Sequence, residues 1–248
     1  MYEKNNPDKA VLFLDTILWD DPHYQPDYKK AERGLSWGYL LKNSELRPDL
    51  AKKYFERNAR SDDNNASPLY NLALLFIDSN QLDSARHYLK KGFFITPDDP
   101  KYFAKFSELE SSQHNYSLAE KYAIEALKID SNYPPALTTM GIALSSQGKK
   151  EAYLYLSKAY RIKPKSFEHT VNLGIYFSQF VNIDSAYYYF TESLPFSPVK
   201  QKEAIYGSLI TLAVAKEQRD IAVEYFEKLT KEYPNSQLIV KKKKELGI

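Results

Sequence analysis

Apolar and small residues recur along this chain in a pattern that local structure alone does not explain. Seven segments read alanine, two variable residues, then an aromatic: "AVLFL", "AKKYF", "ARHYL", "AEKYA", "AYLYL", "AYYYF" and "AVEYF". Their alanines are Ala10, Ala51, Ala85, Ala119, Ala152, Ala186 and Ala222, spaced by 41, 34, 34, 33, 34 and 36 residues. Upstream of five of them stands an apolar–small pair: Trp37-Gly38, Leu72-Ala73, Phe106-Ser107, Met140-Gly141 and Leu173-Gly174. Three residues beyond the small position come Leu41, Phe76, Glu110, Leu144 and Phe177. Both halves have the i, i+3, i+4, i+7 spacing of an amphipathic helix. Polar turns such as "DSNQLDS" and "SSQGKKE" separate them. Twelve residues after the alanines come Pro22, Asp63, Pro97, Ser131, Pro164, Pro198 and Pro234. Proline stops a helix, so each unit reads as helix, turn, helix and proline-marked connection.

The physical logic is close packing. Small residues at Gly38, Ala73, Ser107, Gly141 and Gly174 let the first helix approach its partner, and the alanines do the same from the second. Larger apolar residues fill the space between pairs. One pair cannot bury its own apolar face, so pairs stack.

This pattern resembles the tetratricopeptide repeat family, whose 34-residue unit carries an apolar residue and Gly, an aromatic, Ala, an aromatic, Ala and Pro. "NLGIYFSQFVNIDSAYYYFTESLPFSP" (172–198) matches best, and "NLALLFIDSNQLDSARHYLKKGFFITP" (71–97) nearly as well. The resemblance covers roughly residues 7–236. It implies an all-α fold: an α–α superhelix of about six full repeats, with a half repeat before them and a capping helix after. The expected boundaries are 1–22 for the half repeat, then 31–65, 66–99, 100–133, 134–166, 167–200 and 203–236, with the cap over 237–248. Several positions depart from the pattern. Glu110, Ala123 and Ser131 replace an aromatic, an aromatic and proline; Ile210 stands at a small position, Ala213 at an aromatic one and Asp63 at a proline.

Only nine residues precede Ala10, so the first helix of its unit is missing or very short. Ala10, Phe13, Leu14, Ile17 and Leu18 are then expected to meet an upstream segment or a partner. In the cap, Leu238, Ile239 and Val240 are expected to cover the last pair, with Lys241–Lys244 in water.

Composition adds mainly exclusions. Of 248 residues, 43% are hydrophobic and 27% charged, an ordinary globular balance. The net charge of +2 does not point to nucleic acid. There is no cysteine, which removes thiol nucleophiles, disulfides and Cys-based zinc sites. His23, His87, His114 and His169 fall in no metal-binding spacing, and no phosphate loop or triad motif occurs. The Asp pairs at 20–21, 62–63 and 98–99 sit beside inter-repeat turns, where Asp caps helices. No catalytic residue, cofactor or metal is expected, and the chain reads as not an enzyme. No apolar run approaches the ~20 residues of a membrane helix. "AVLFLDTIL" (10–18) carries Asp15 and makes a poor signal peptide. The compartment reads as cytoplasm, or periplasm if a leader or anchor was removed. The Asn-, Lys- and Tyr-rich composition resembles that of proteins from bacteria with AT-rich genomes.

The resemblance also implies a binding face. First helices of the family line the concave side of the superhelix. Transferred by register, groove residues are Tyr39, Tyr70, Asn71, Lys101, Lys105, Glu108, Thr138, Ile142, Asn172, Ile175, Gln179 and Thr211. Amides there can bond a peptide backbone, lysines can pair with carboxylates, and tyrosines give rigid contact area. Some members clamp a partner's C-terminal carboxylate. Asn71, Lys101 and Lys105 match three of the five clamp positions; Leu35 and Tyr39 do not match the other two. The leading expectation is a scaffold binding a peptide segment or partner protein in the groove. The second is a targeting or regulatory module of a larger bacterial envelope, secretion or enzyme assembly. An RNA-binding helical repeat ranks third, because the inferred groove has only Lys101 and Lys105 as basic residues. The aromatic run "SAYYYF" (185–190) resolves in the same register. Ala186, Tyr189 and Phe190 fall on the packing face, Tyr187 flanks it, and Tyr188 alone points away.

Overall fold

The structure, a computed structural model, describes residues 48–61, 63–180 and 182–248. Ala10 and its apolar neighbours, the Trp37-Gly38 pair and Tyr39 lie outside the described residues, as does the expected half repeat. The described residues form helices and no strand. They fall into two compact units, one ending at Ile95 and one running Thr96–Ile248.

The first unit holds α1 (Pro48–Ser61), α2 (Ala66–Asp78) and α3 (Leu82–Ile95). The second holds four helical hairpins: α4 (Pro100–Ser112) with α5 (Tyr116–Ile129), α6 (Pro134–Ser146) with α7 (Ala152–Ile162), α8 (Phe167–Gln179) with α9 (Ile183–Ser193), and α10 (Val199–Ala215) with α11 (Arg219–Glu232). A single 3-10 turn, Leu194–Phe196, follows α9, and α12 (Leu238–Leu246) closes the chain.

Local chemistry sets where these helices start. The Asn65 side chain accepts from the Ser67 N–H at 3.0 Å, and Asp99 accepts from the Lys101 N–H at 3.0 Å. Each satisfies a donor that the helix itself leaves open. Pro100 and Pro134 occupy first-turn positions, where a missing N–H costs nothing.

Three residues join the helices of a hairpin at 79–81, 113–115, 180–182 and 216–218. The middle residue takes the left-handed conformation at Asn80 (φ 56°), His114 (φ 61°) and Glu217 (φ 59°), as does Gly148 (φ 73°) in the longer turn at 147–151. The next N–H reaches back five residues: Gln81 to the Phe76 carbonyl at 2.7 Å, Asn115 to Glu110 at 2.9 Å, Lys149 to Leu144 at 3.0 Å, Asn182 to Phe177 at 2.9 Å and Gln218 to Ala213 at 2.9 Å. This is the Schellman closure of a helix end.

The periodic alanines form the seam of each hairpin. Ala51, Ala85, Ala119, Ala152, Ala186 and Ala222 are all fully buried. The small positions face them: the Ser107 hydroxyl donates to the Ala119 carbonyl at 2.8 Å. A methyl group added at Gly141 would lie 2.5 Å from Leu156, and one at Gly174 would lie 2.9 Å from the Phe190 ring. One position beyond the aromatic column sit Phe55, Leu89, Ala123, Leu156 and Phe190, all deeply buried. The column itself is half-buried at Tyr88, Tyr122, Tyr155 and Tyr189. Tyr88 stacks on Phe76 at 5.4 Å, and Tyr189 stacks on Phe177 at 5.5 Å.

Two departures have a structural answer. Glu110, in place of an aromatic, is buried and accepts from the Asn115 side chain at 3.0 Å. Ile210 is fully buried, and Gly207, one turn earlier, makes room for Leu238 and Lys242 of α12. The cap differs from expectation. Lys242 is buried, not in water, and bonds Thr211 and Glu245, while Val240 is 77% exposed. Leu246 takes the covering role expected of Val240. The helix turns a different face inward because Lys242 can bury its stem and still reach two oxygens.

Phenols tie helices of the second unit together, between neighbouring hairpins at Tyr160 and within one hairpin at Tyr206. Tyr160 donates to Glu192 at 2.7 Å and Tyr206 to Glu232 at 2.9 Å. Burial first, and then these carboxylates, push both phenols well above their ordinary range. Burial and a bond to Tyr225 push Tyr187 up to about 12. A phenol raised in the folded state stabilises the fold below its unfolded value of about 10, and that stability is lost as pH rises through the folded value. Thermal melts by circular dichroism should therefore hold steady to about pH 10 and fall steeply towards pH 12. In Tyr160→Phe the decline should be shallower. An unchanged slope would show that this phenol does not set it.

Candidate functional site

Within the Thr96–Ile248 unit, the first helices α4, α6 and α8 pack side by side. Lys105 and Glu108, one turn apart on α4, form an ion pair. Thr138, Ile142 and Ser145 follow at i, i+4 and i+7 on α6. On α8, His169, Asn172, Ile175 and Gln179 share one face.

Two polar contacts tie α6 to α8. Thr138 Oγ1 and His169 Nδ1 share a buried hydrogen bond at 3.0 Å. One end further along, the Ser145 hydroxyl donates to the Gln179 side-chain oxygen. Seven helical residues, about 10 Å of rise, separate these contacts. Between them lie Ile142 and Asn172, half-buried, and Ile175, 44% exposed. That span matches about three residues of extended chain.

The electrostatics are mixed. Burial, and then the positive charge of Lys163, push the His169 imidazole below its ordinary range. Crowding, and then the Glu108 carboxylate, raise Glu168, against the opposing pull of Lys105 and Lys163. Lys101 pairs with Asp99 and lies 5.0 Å from the Tyr102 ring. Both lysines of the inferred carboxylate clamp are thus already matched by carboxylates of the same unit.

The other expected residues are distributed as follows. Tyr70 is half-buried on α2. Asn71 is 1% exposed and spends its amide N–H on the Ser67 carbonyl of its own helix, at 2.9 Å. Thr138 is fully buried, so its hydroxyl serves the α6–α8 contact. Thr211 is exposed and occupied by Lys242. The register transfer missed His169, Ser145 and Glu168. A polar residue three or four positions from a groove residue on the same helix was the signal available.

A cleft of about 480 Å³ lies elsewhere, between α1, α2 and α3, with Glu56, Arg60, Leu72, Tyr88 and Lys91 among its walls. Neither Tyr70 nor Asn71 lines it. Among the described residues no group of three or more His, Asp or Glu side chains could hold a metal. No described helix is long and apolar enough to cross a membrane.

Comparison with known proteins agrees with this architecture. Two family models, each described as tetratricopeptide repeat, match residues 66–99 and 209–236. PilF of Pseudomonas aeruginosa is similar at 18% identity and a TM-score of 0.69, over 88% of this chain and 98% of that one. A chain of the APC/C hetero-tetramer Cut9–Hcn1 reaches a TM-score of 0.80 at 16% identity; 96% of this chain covers 46% of that one. YrrB, described as a TPR protein with an unusual peptide-binding site, has 19% identity and a TM-score of 0.54, over 77% of this chain and 97% of its own. At such identities these likenesses establish the fold alone. The sequence matches none of the curated proteins compared with it. Repeat period, alanine seam, left-handed hairpin turns and family matches converge: the chain is a helical repeat protein that carries tetratricopeptide repeats, matched by family models at 66–99 and 209–236.

Proposed function

We propose that this chain is a non-catalytic scaffold that holds an extended segment of a partner protein on the first-helix face of its Thr96–Ile248 unit. Tetratricopeptide repeats generally mediate protein–protein interaction and are generally non-catalytic. The observation that carries the reading is Ile175, exposed between Asn172 and Gln179 and bracketed by the two α6–α8 contacts. An apolar side chain of the partner packs on Ile142 and Ile175. The Asn172 amide offers both a donor and an acceptor to its backbone. The lysines of this face are matched by Asp99 and Glu108, and Glu168 adds negative charge. This favours an uncharged or weakly basic segment over an acidic tail.

Panning a random peptide display library on the intact chain tests the reading. Enriched peptides should share an apolar residue with polar neighbours and should not be dominated by acidic C-termini. By fluorescence polarisation, Ile175→Glu should weaken them at least about tenfold, the equivalent of 1.4 kcal/mol. Equal binding by Ile175→Glu, or no enrichment, would remove the proposal.

A further inference from the structure

The second helices of the Thr96–Ile248 unit carry a feature that groove binding does not use. One position recurs on the outer face of each: Lys121 on α5, Leu154 on α7, Tyr188 on α9 and Glu224 on α11. All four are exposed, Leu154 at 64% and Tyr188 at 58%. Tyr153, beside Leu154, adds 41% exposure. The helices stand in sequence. Tyr160 of α7 bonds Glu192 of α9, and its ring meets Tyr189 at 5.7 Å. Tyr187 of α9 meets Tyr225 of α11 at 6.5 Å. From α5 to α7, Glu120 accepts from Lys149 at 2.8 Å, in the turn that leads into α7. The stripe therefore runs base, aliphatic, aromatic, acid.

We propose that this stripe is a self-association surface, which pairs with a second copy of this chain about a two-fold axis between Leu154 and Tyr188. A two-fold contact must be self-complementary. Turned by 180°, the stripe places Leu154 on the second copy's Tyr188, and Lys121 on its Glu224. Each end meets the opposite charge, and the two large apolar groups cover one another. A parallel arrangement would instead set like charges together. Tyr188 lies edge-on to Tyr189 at 5.1 Å, so its ring is held for contact by a packed neighbour. Glu224 also bonds Lys228 at 2.5 Å, yet its side chain remains 60% exposed. That sharing, and the small apolar area, make the pair a weak one, in about the micromolar to millimolar range.

Sedimentation equilibrium of the intact chain tests this, with melts by circular dichroism to verify folding. The wild type should show a concentration-dependent dimer that weakens in high salt. Leu154→Glu with Tyr188→Glu should leave only monomer. Lys121→Glu alone should weaken the dimer at least about tenfold. Lys121→Glu combined with Glu224→Lys should restore it, since the swapped charges again oppose across the axis. A chain that stays monomeric up to about 1 mM would overturn the proposal. So would a dimer untouched by the Leu154 and Tyr188 changes, or a double charge swap no tighter than the single one. None of these outcomes bears on peptide binding, so the two proposals stand or fall separately.

Discussion

Phe190→Ala is expected to destabilise the Thr96–Ile248 unit by about 3–5 kcal/mol. The ring is 3% exposed and packs against Gly174 of α8. A methyl group on Gly174 would meet three of its carbons at 2.9, 3.0 and 3.1 Å, so the ring fills the space the missing side chain leaves. Removing it opens a void that backbone cannot easily close, because the buried Ala186 and Leu173 already hold the helices at contact distance. Stacked repeats exchange stability only with their neighbours, so the loss should also reach α10. Urea denaturation followed by far-UV circular dichroism gives the number. Phe190→Leu should cost less than half as much. A loss under about 1 kcal/mol for alanine would mean that the hairpin collapses onto the gap.

Gly141→Ala acts from the opposite direction. Its methyl carbon would stand 2.5 Å from both Cγ and Cδ2 of Leu156, and 3.4 Å from the Ala152 carbonyl oxygen. The clash involves the branch point of a side chain only 2% exposed, so a swing of the terminus cannot relieve it. Overpacking of this kind costs about 1–3 kcal/mol. Alanine's helix propensity returns up to about 1 kcal/mol, which leaves the substitution destabilising. Leu156→Ala in the same chain removes the obstacle. The double variant should then be more stable than the sum of the single changes, since the residues share one contact. Strict additivity would place the strain elsewhere.

These two sites were legible in the sequence because close helix packing constrains residue size. A position that tolerates only Gly, Ala or Ser marks itself at each recurrence, and all described alanines of the seam are fully buried. Tyr188 was separated from its aromatic neighbours by phase alone, and it is exposed. Burial of charged and polar side chains was not legible. Lys242 looked like one of four solvated lysines, yet Thr211, 31 residues upstream, draws it inward. Asn71 and Thr138 had the right spacing for a groove but are buried by bonds whose partners periodicity does not name. The salt bridges of Lys101 and Lys105 are similarly invisible to a pattern that counts residue types.

The three-residue hairpin turns bear on how such a chain can change length. The five-residue back-bond and the left-handed middle residue lock the second helix at one angle about its own axis relative to the first. One inserted residue advances that angle by about 100°. The alanine seam would rotate away from Ala73 or Ser107, and Ser84 or Leu118 would take the place of Ala85 or Ala119. Insertions in these turns should therefore be rejected one residue at a time, while whole units of about 34 residues can be gained or lost without disturbing the phase of any seam.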